Sequence, residues 1–151
     1  MIVREAVLRY RAMKQPAPEG WSGRIQSSRD VVAYLRASTE GAGVESVYVI
    51  ALDSKNRPLA FTEVARGGVT QCPFVPADAF RTAIAIGAVS IIVSHYHPSG
   101  DPTPSAADRA VTDRLCQAGV LLGLPVLDHV IVTDDLGRFY SFLDAGTLPG
   151  R

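Results

Sequence analysis

Several things are scarce in this sequence, and each shortage closes off a class of explanation. Of 151 residues only two are cysteines, Cys72 and Cys116, 44 positions apart and with no CxxC pair anywhere. That spacing supports neither a disulfide framework nor a thiolate zinc site and fits a reducing cytosol, so a cytoplasmic protein is expected. Long apolar runs are missing too: the stretch from Ala83 to Ile92 is interrupted by Gly87 and Ser90 and is too short to span a bilayer. The opening MIVREAVLRYRAM lacks the extended apolar segment and small-residue cleavage site of a secretory signal. Lysine is nearly absent, with thirteen arginines beside Lys14 and Lys55. Fifteen acids cancel those fifteen bases, so the chain as a whole has no strong field to gather nucleic acid or anionic lipid. There is no Walker-type or Rossmann glycine pattern, and nucleotide binding is left without support.

What is present is an ordinary globular balance, 47% apolar and 20% charged, over a length suited to one domain. Residues 2–13 place Val3, Ala6, Val7 and Tyr10 at helical spacing among Arg4, Arg9 and Arg11, and a short amphipathic helix is expected there. Pro16, Pro18 and Gly20 then make residues 14–26 a linker, with Trp21 anchoring it on the domain. Ser28 is the expected N-cap of a helix over DVVAYLRAS, ending before Gly41 and Gly43. ESVYVIALD and PLAFTEVA, joined by a turn at Asp53–Asn56, read as a hairpin. Pro76 opens a helix with Phe80, Ile84 and Ala88 in register, and SIIVSHYH follows as a buried strand. After the irregular PSGDPTPS, Ser105 starts a helix that Gly119 should stop, with Cys116 on its core side. PVLDHVIVTD and GRFYSFLDA complete the chain as two strands around a turn at Asp134–Gly137. The order α-α-β-β-α-β-α-β-β predicts an α/β fold, a single mixed sheet packed with helices.

The chemistry is concentrated between Ser94 and Asp108. Residues two apart on a strand share a face, so His95 and His97 can aim both imidazoles at one point. Converging neutral imidazoles suit a metal ion, and zinc accepts nitrogen ligands at about 2.0–2.1 Å. The proline-rich loop reverses the chain, which lets Asp108 in the first turn of the next helix supply a third ligand. Two histidines, a carboxylate and an open fourth position make the ligand set of a hydrolytic zinc centre. Ser105 and Asp108 also form a capping pair, a role compatible with ligation because a capped carboxylate is rigidly held.

The string HxHP, with a serine eight positions after the second histidine and an aspartate three further on, matches the JAMM (MPN+) metalloprotease motif. HPSGDPTPSAAD followed by LLGLPVLDHVIV and FYSFLDAG closely resembles the RadC-like bacterial branch of that family, over about residues 28–146. The resemblance implies a JAB/MPN fold, laid out like the cytidine deaminases, over residues 28–151, with residues 1–27 as N-terminal helix and linker. The deaminase signature itself is absent, with no HxE and no PCxxC. The resemblance further implies one Zn2+ on His95, His97 and Asp108, and Ser105 stabilising the oxyanion. It also implies a general base at Glu45, with Glu63 across the hairpin as the rival on position alone. The implied activity is hydrolysis of a peptide or isopeptide amide. Tyr96 stands where RadC-like sequences commonly carry Asn, and should face away from the metal. The short N-terminus suggests a stand-alone version without the helix-hairpin-helix module. At Asp128–His129 only one side chain can face the metal, and His129 reads as structural or as a support to the ligands.

Two other readings compete. A nucleic-acid-associated module, tied to DNA repair or mobile elements, would use the arginines of residues 4–36 for weak DNA contact and keep the zinc site as vestigial or structural. A scaffold would use residues 1–13 to pair two copies as a homodimer. No membrane partner is expected.

Overall fold

The computed structural model describes residues 22–39, 43–67 and 74–150. The expected helix at 2–13, most of the linker, Trp21 and Cys72 lie outside those residues. The described chain forms helix α1 (Ser28–Thr39), strands β1 (Ser46–Leu52) and β2 (Pro58–Arg66), helix α2 (Pro76–Ala85) and strand β3 (Ser90–Tyr96). Helix α3 (Ala106–Leu122) and strands β4 (Val126–Val132) and β5 (Tyr140–Ser141) follow. One five-stranded sheet has the order β2-β1-β3-β4-β5. β1 is antiparallel to β2 and β3, β3 is parallel to β4 through the α3 crossover, and β5 is antiparallel to β4. The expected mixed α/β sheet is therefore present.

Alternation along the strands sorts side chains onto two covered faces. Val47, Val49, Ala51, Ile91, Val93 and Ile131 pack with Phe80, Val111, Leu115 and Phe142 on the α2/α3 side. Tyr48, Ile50, Leu52, Ile92, Val130 and Val132 pack under Val31, Val32 and Leu35 of α1 on the other. Cys116 is buried on the first of these faces, as expected. The hairpin turn closes where expected: Asp53 Oδ1 accepts from the Lys55 and Arg57 amides, and Asn56 adopts a positive φ of 57°.

Four local expectations shift. The cap of α1 is Ser27, whose hydroxyl accepts from the Asp30 amide while Asp30 Oδ2 accepts from the Ser27 amide. Ser28 instead donates to Asp144. In α2 the buried stripe is Ala79, Phe80 and Ala83, leaving Ile84 exposed. Helix α3 runs through Gly119 to a left-handed Gly123 at φ 65°. Gly119 is there for space: a Cβ would lie 2.6 Å from the Leu124 carbonyl as the chain turns back. The last strand is cut to two residues: after the Phe142 amide makes a final bond to His129 O of β4, the Asp144 and Ala145 amides fold back on Ser141.

Among the described residues no helix is long and apolar enough to cross a membrane. The arrangement brings the start of β1, the end of β3 and the start of α3 to one edge, with Ser46 paired to Tyr96. That is the carboxyl end of the parallel β3–β4 pair, where open α/β sheets place their ligands.

Candidate metal centre

β3 presents His95 to the α2/α3 side and Ser94 and Tyr96 to the α1 side. His95 is almost wholly buried and His97, just past the strand end, partly so. The two rings lie 4.6 Å apart at 82°. His97 is held by its backbone N–H to Val132 O and by Nδ1, which lies 2.9 Å from the Asp101 carbonyl. A carbonyl can only accept, so Nδ1 carries the proton and Nε2 keeps its lone pair for a ligand. The loop that supplies this carbonyl is braced by Thr103 N to Asp101 Oδ1 and turns at Gly100, at φ 76°.

Asp108 enters from the first turn of α3. Ser105 accepts from the Asp108 amide, and Asp108 Oδ2 accepts from the Ser105 amide at 2.7 Å and its hydroxyl at 2.6 Å. The cap and the ligand candidate are therefore the same carboxylate. Burial pushes this carboxyl up, but the His95 imidazole and the Ser105 hydroxyl and amide outweigh it and hold it well below the usual carboxylate range. Oδ1 lies 2.7 Å from His95 Nδ1, and Oδ2 lies 3.7 Å from His97 Nε2. Glu45, just before β1, reaches the same place from the solvent side, with Oε1 3.0 Å from His95 Nε2 and 3.7 Å from His97 Nε2.

These close approaches are not a closed hydrogen-bond network. His95 Nδ1 and Nε2, His97 Nε2 and Asp108 Oδ1 are buried yet none has a well-directed hydrogen bond. A buried polar atom left without a partner costs about 1–3 kcal/mol, so several gathered at one point need an explanation. Neutral imidazole and carboxylate donors gathered around His95 and His97 are a fit for a divalent cation. The spacing agrees: two ligands of a tetrahedral zinc lie roughly 3.3 Å apart, given bonds of about 2.0–2.1 Å. Ligand atoms of Glu45, His95 and His97 all fall within 4.8 Å of one another.

The structure thus brings together Glu45, His95, His97 and Asp108, with Ser105 bonded to the last. It leaves Glu63 out: that side chain is exposed and held by Arg66 at 2.6 and 3.0 Å. Tyr96 faces away as expected, its hydroxyl donating to Asp134 at 2.7 Å. His129 and Asp128 diverge, His129 onto the α2/α3 face and Asp128 to the other, where it accepts from Ser141 and the Leu143 amide. The sequence reading did not find Thr112, which bridges the Asp108 carbonyl to His129 at 2.6 Å on each side. Its place one helical turn after Asp108 was the available signal.

The family model described as a RadC-like JAB domain matches residues 25–147. Similar curated proteins are each named UPF0758 protein. One from Pelobacter propionicus is 38% identical over 125 residues, covering 83% of this chain and 54% of the relative. One from Symbiobacterium thermophilum is 40% identical over 122 residues, covering 81% and 51%. One from Geotalea uraniireducens is 43% identical over 125 residues, covering 83% and 54%. The chain spans about half the length of the curated relatives it matches.

Proposed function

The chain belongs to the RadC-like JAB domain family, and from that premise we propose that it is a zinc-dependent hydrolase of a peptide or isopeptide amide. The observation that carries the reading is the set of buried, unpartnered donor atoms on His95, His97 and Asp108, met from the solvent side by Glu45. His95, His97 and Asp108 would hold the ion. When bound, zinc would act as Lewis acid toward the amide carbonyl and bring the ionisation of water near neutral pH.

The two carboxylates divide the remaining work by environment. Asp108 is sealed from solvent, its Oδ2 already accepting two hydrogen bonds, and is suited to stay ionised. The Glu45 side chain is 35% exposed and sits within reach of the same point, so it can take a proton from the attacking water and deliver it to the departing amine. Ser105, exposed at the cap, keeps its hydroxyl on Asp108; rotation of that hydroxyl would give a donor for the developing oxyanion. The amide class is what the family likeness implies, and a base, an electrophilic ion and one hydroxyl donor are a set compatible with it.

The test is metal analysis of wild type and of a His95→Ala/His97→Ala double variant purified without chelators. Zinc close to one per chain in wild type and little in the variant is expected. Wild type with no zinc, and none taken up on addition, would end the proposal.

A further inference from the structure

We infer that His129 is a positioning residue for the metal centre, holding Asp108 through Thr112 and the His95 ring through stacking; the inference rests on the proposed metal-centre reading. β4 places His129 opposite Val93 on the face that carries His95, fully buried. Its Nδ1 lies 2.6 Å from Thr112 Oγ1, and the Thr112 hydroxyl donates to the Asp108 carbonyl, also at 2.6 Å. A hydroxyl has one proton and a carbonyl can only accept, so His129 must donate Nδ1–H to Thr112. A directed relay therefore runs from β4 through one turn of α3 to the backbone of Asp108, pinning the helix start on the sheet that bears the histidines.

The second contact is a column of rings. His129 lies nearly parallel to His95, 15° apart with centroids at 6.4 Å, and to Phe142, 9° apart at 5.1 Å. The Arg109 guanidinium lies over the Phe142 ring, 5.9 Å from its centroid. The plane of His95 is thus backed by stacked, buried rings and cannot tilt freely. Asp108 and His95, whose side chains approach to 2.7 Å, are set by the same residue through two independent contacts.

Packing alone does not account for an imidazole here. The relay leaves Nε2 with a bare lone pair, buried and without a partner. A phenyl ring would fill the slot without stranding an acceptor, so the distinguishing asset of His129 is its Nδ1–H. Groups behind the ligands of a metal, when removed, lower its affinity by about 10–100-fold.

The experiment uses the whole chain as wild type, Thr112→Val, Thr112→Ser and His129→Phe. Zinc affinity is measured by chelator competition, and the visible spectrum is recorded after loading with Co2+. Thr112→Val, which keeps the shape without the hydroxyl, and His129→Phe, which keeps the stack without the donor, are expected to bind zinc about 10–100-fold more weakly. Both should also shift the cobalt bands, while Thr112→Ser restores wild-type affinity and spectrum. If His129→Phe fails to fold, Thr112→Val decides. Wild-type affinity and spectrum in Thr112→Val overturn the inference, as does weaker binding with unaltered cobalt bands, or a Thr112→Ser that behaves like Thr112→Val. In those cases the metal centre itself stands; a wild type that binds no zinc removes both readings.

Discussion

On the α1 face of the sheet three buried polar side chains of β3 and β4 have partners: Ser94 donates to Val130 O, Tyr96 to Asp134, and Asp128 accepts from Ser141 and the Leu143 amide. One residue away on the same strands, His95 and His129 leave ring nitrogens buried and unpartnered on the opposite face. The covalent frame and the solvent exclusion are shared, so the difference lies in what each face is completed by. The first is closed by the chain itself. The second gathers partnerless atoms of His95, His97 and Asp108 at the place where the proposed ion would sit.

The two buried aspartates express this as opposite proton affinities. Burial pushes the Asp128 carboxyl up, its bonds to Ser141 and Leu143 offsetting only part of that. Asp108 meets the same burial, yet the His95 imidazole and the Ser105 contacts carry it well below the ordinary range. A carboxylate kept ionised in a sealed place suits a cation; one pushed toward the acid form suits a hydrogen-bonded joint.

The contrast can be pressed hardest at Glu45. Glu45→Gln keeps the size and loses the base, so amide hydrolysis should fall by about 10²–10⁴-fold while zinc content stays near wild type, read by turnover and metal analysis on one preparation. A variant that loses metal and turnover together would move Glu45 from base to ligand. Ser105→Ala comes next, with turnover expected to fall by about 10²-fold and the α3 cap weakened, checked by kinetics beside a melting curve.

The smallest effects should come from the aspartates in metal-free protein. Asp108 has a folded pKa below its ordinary value near 3.8, so its stabilisation is present above that pH and is lost as pH falls through the folded value. Asp128 is the reverse: with a raised folded pKa, its contribution is present below about 3.8 and is lost as pH rises through the folded value. Urea unfolding across pH 2–8 should therefore show Asp108→Asn missing the wild-type rise below pH 4, and Asp128→Asn missing a wild-type decline above it. Matching curves for the two variants would erase the distinction between the faces.

Much of this was legible in the chain because it is written in local spacing. His95 and His97 share a face by strand period, and Ser105 with Asp108 is a capping pair by helix period, so both were readable without tertiary knowledge. The hairpin and the helix opened by Pro76 were readable for the same reason. What escaped depended on close approach or on long-range partners. Gly119 reads as a helix stop, and only the returning Leu124 carbonyl explains why a glycine sits inside the helix. GRFYSFLDA alternates like a strand, but the Asp144 and Ala145 amides turn back onto Ser141 and end the pairing after two residues. Position favoured Glu45 and kept Glu63 as its rival; the Arg66 guanidinium beside Glu63 and the imidazoles beside Glu45 separate them. Thr112 and the stack on His129 needed the α3–β4 packing to be seen at all.

The central claim is that two imidazoles and a carboxylate share one divalent ion. X-ray absorption at the zinc edge of the loaded protein tests it most directly. A first shell of nitrogen and oxygen only, near 2.0–2.1 Å, with outer-shell scattering from two imidazoles, is expected. A sulfur shell near 2.3 Å, or zinc without imidazole scattering, would contradict it.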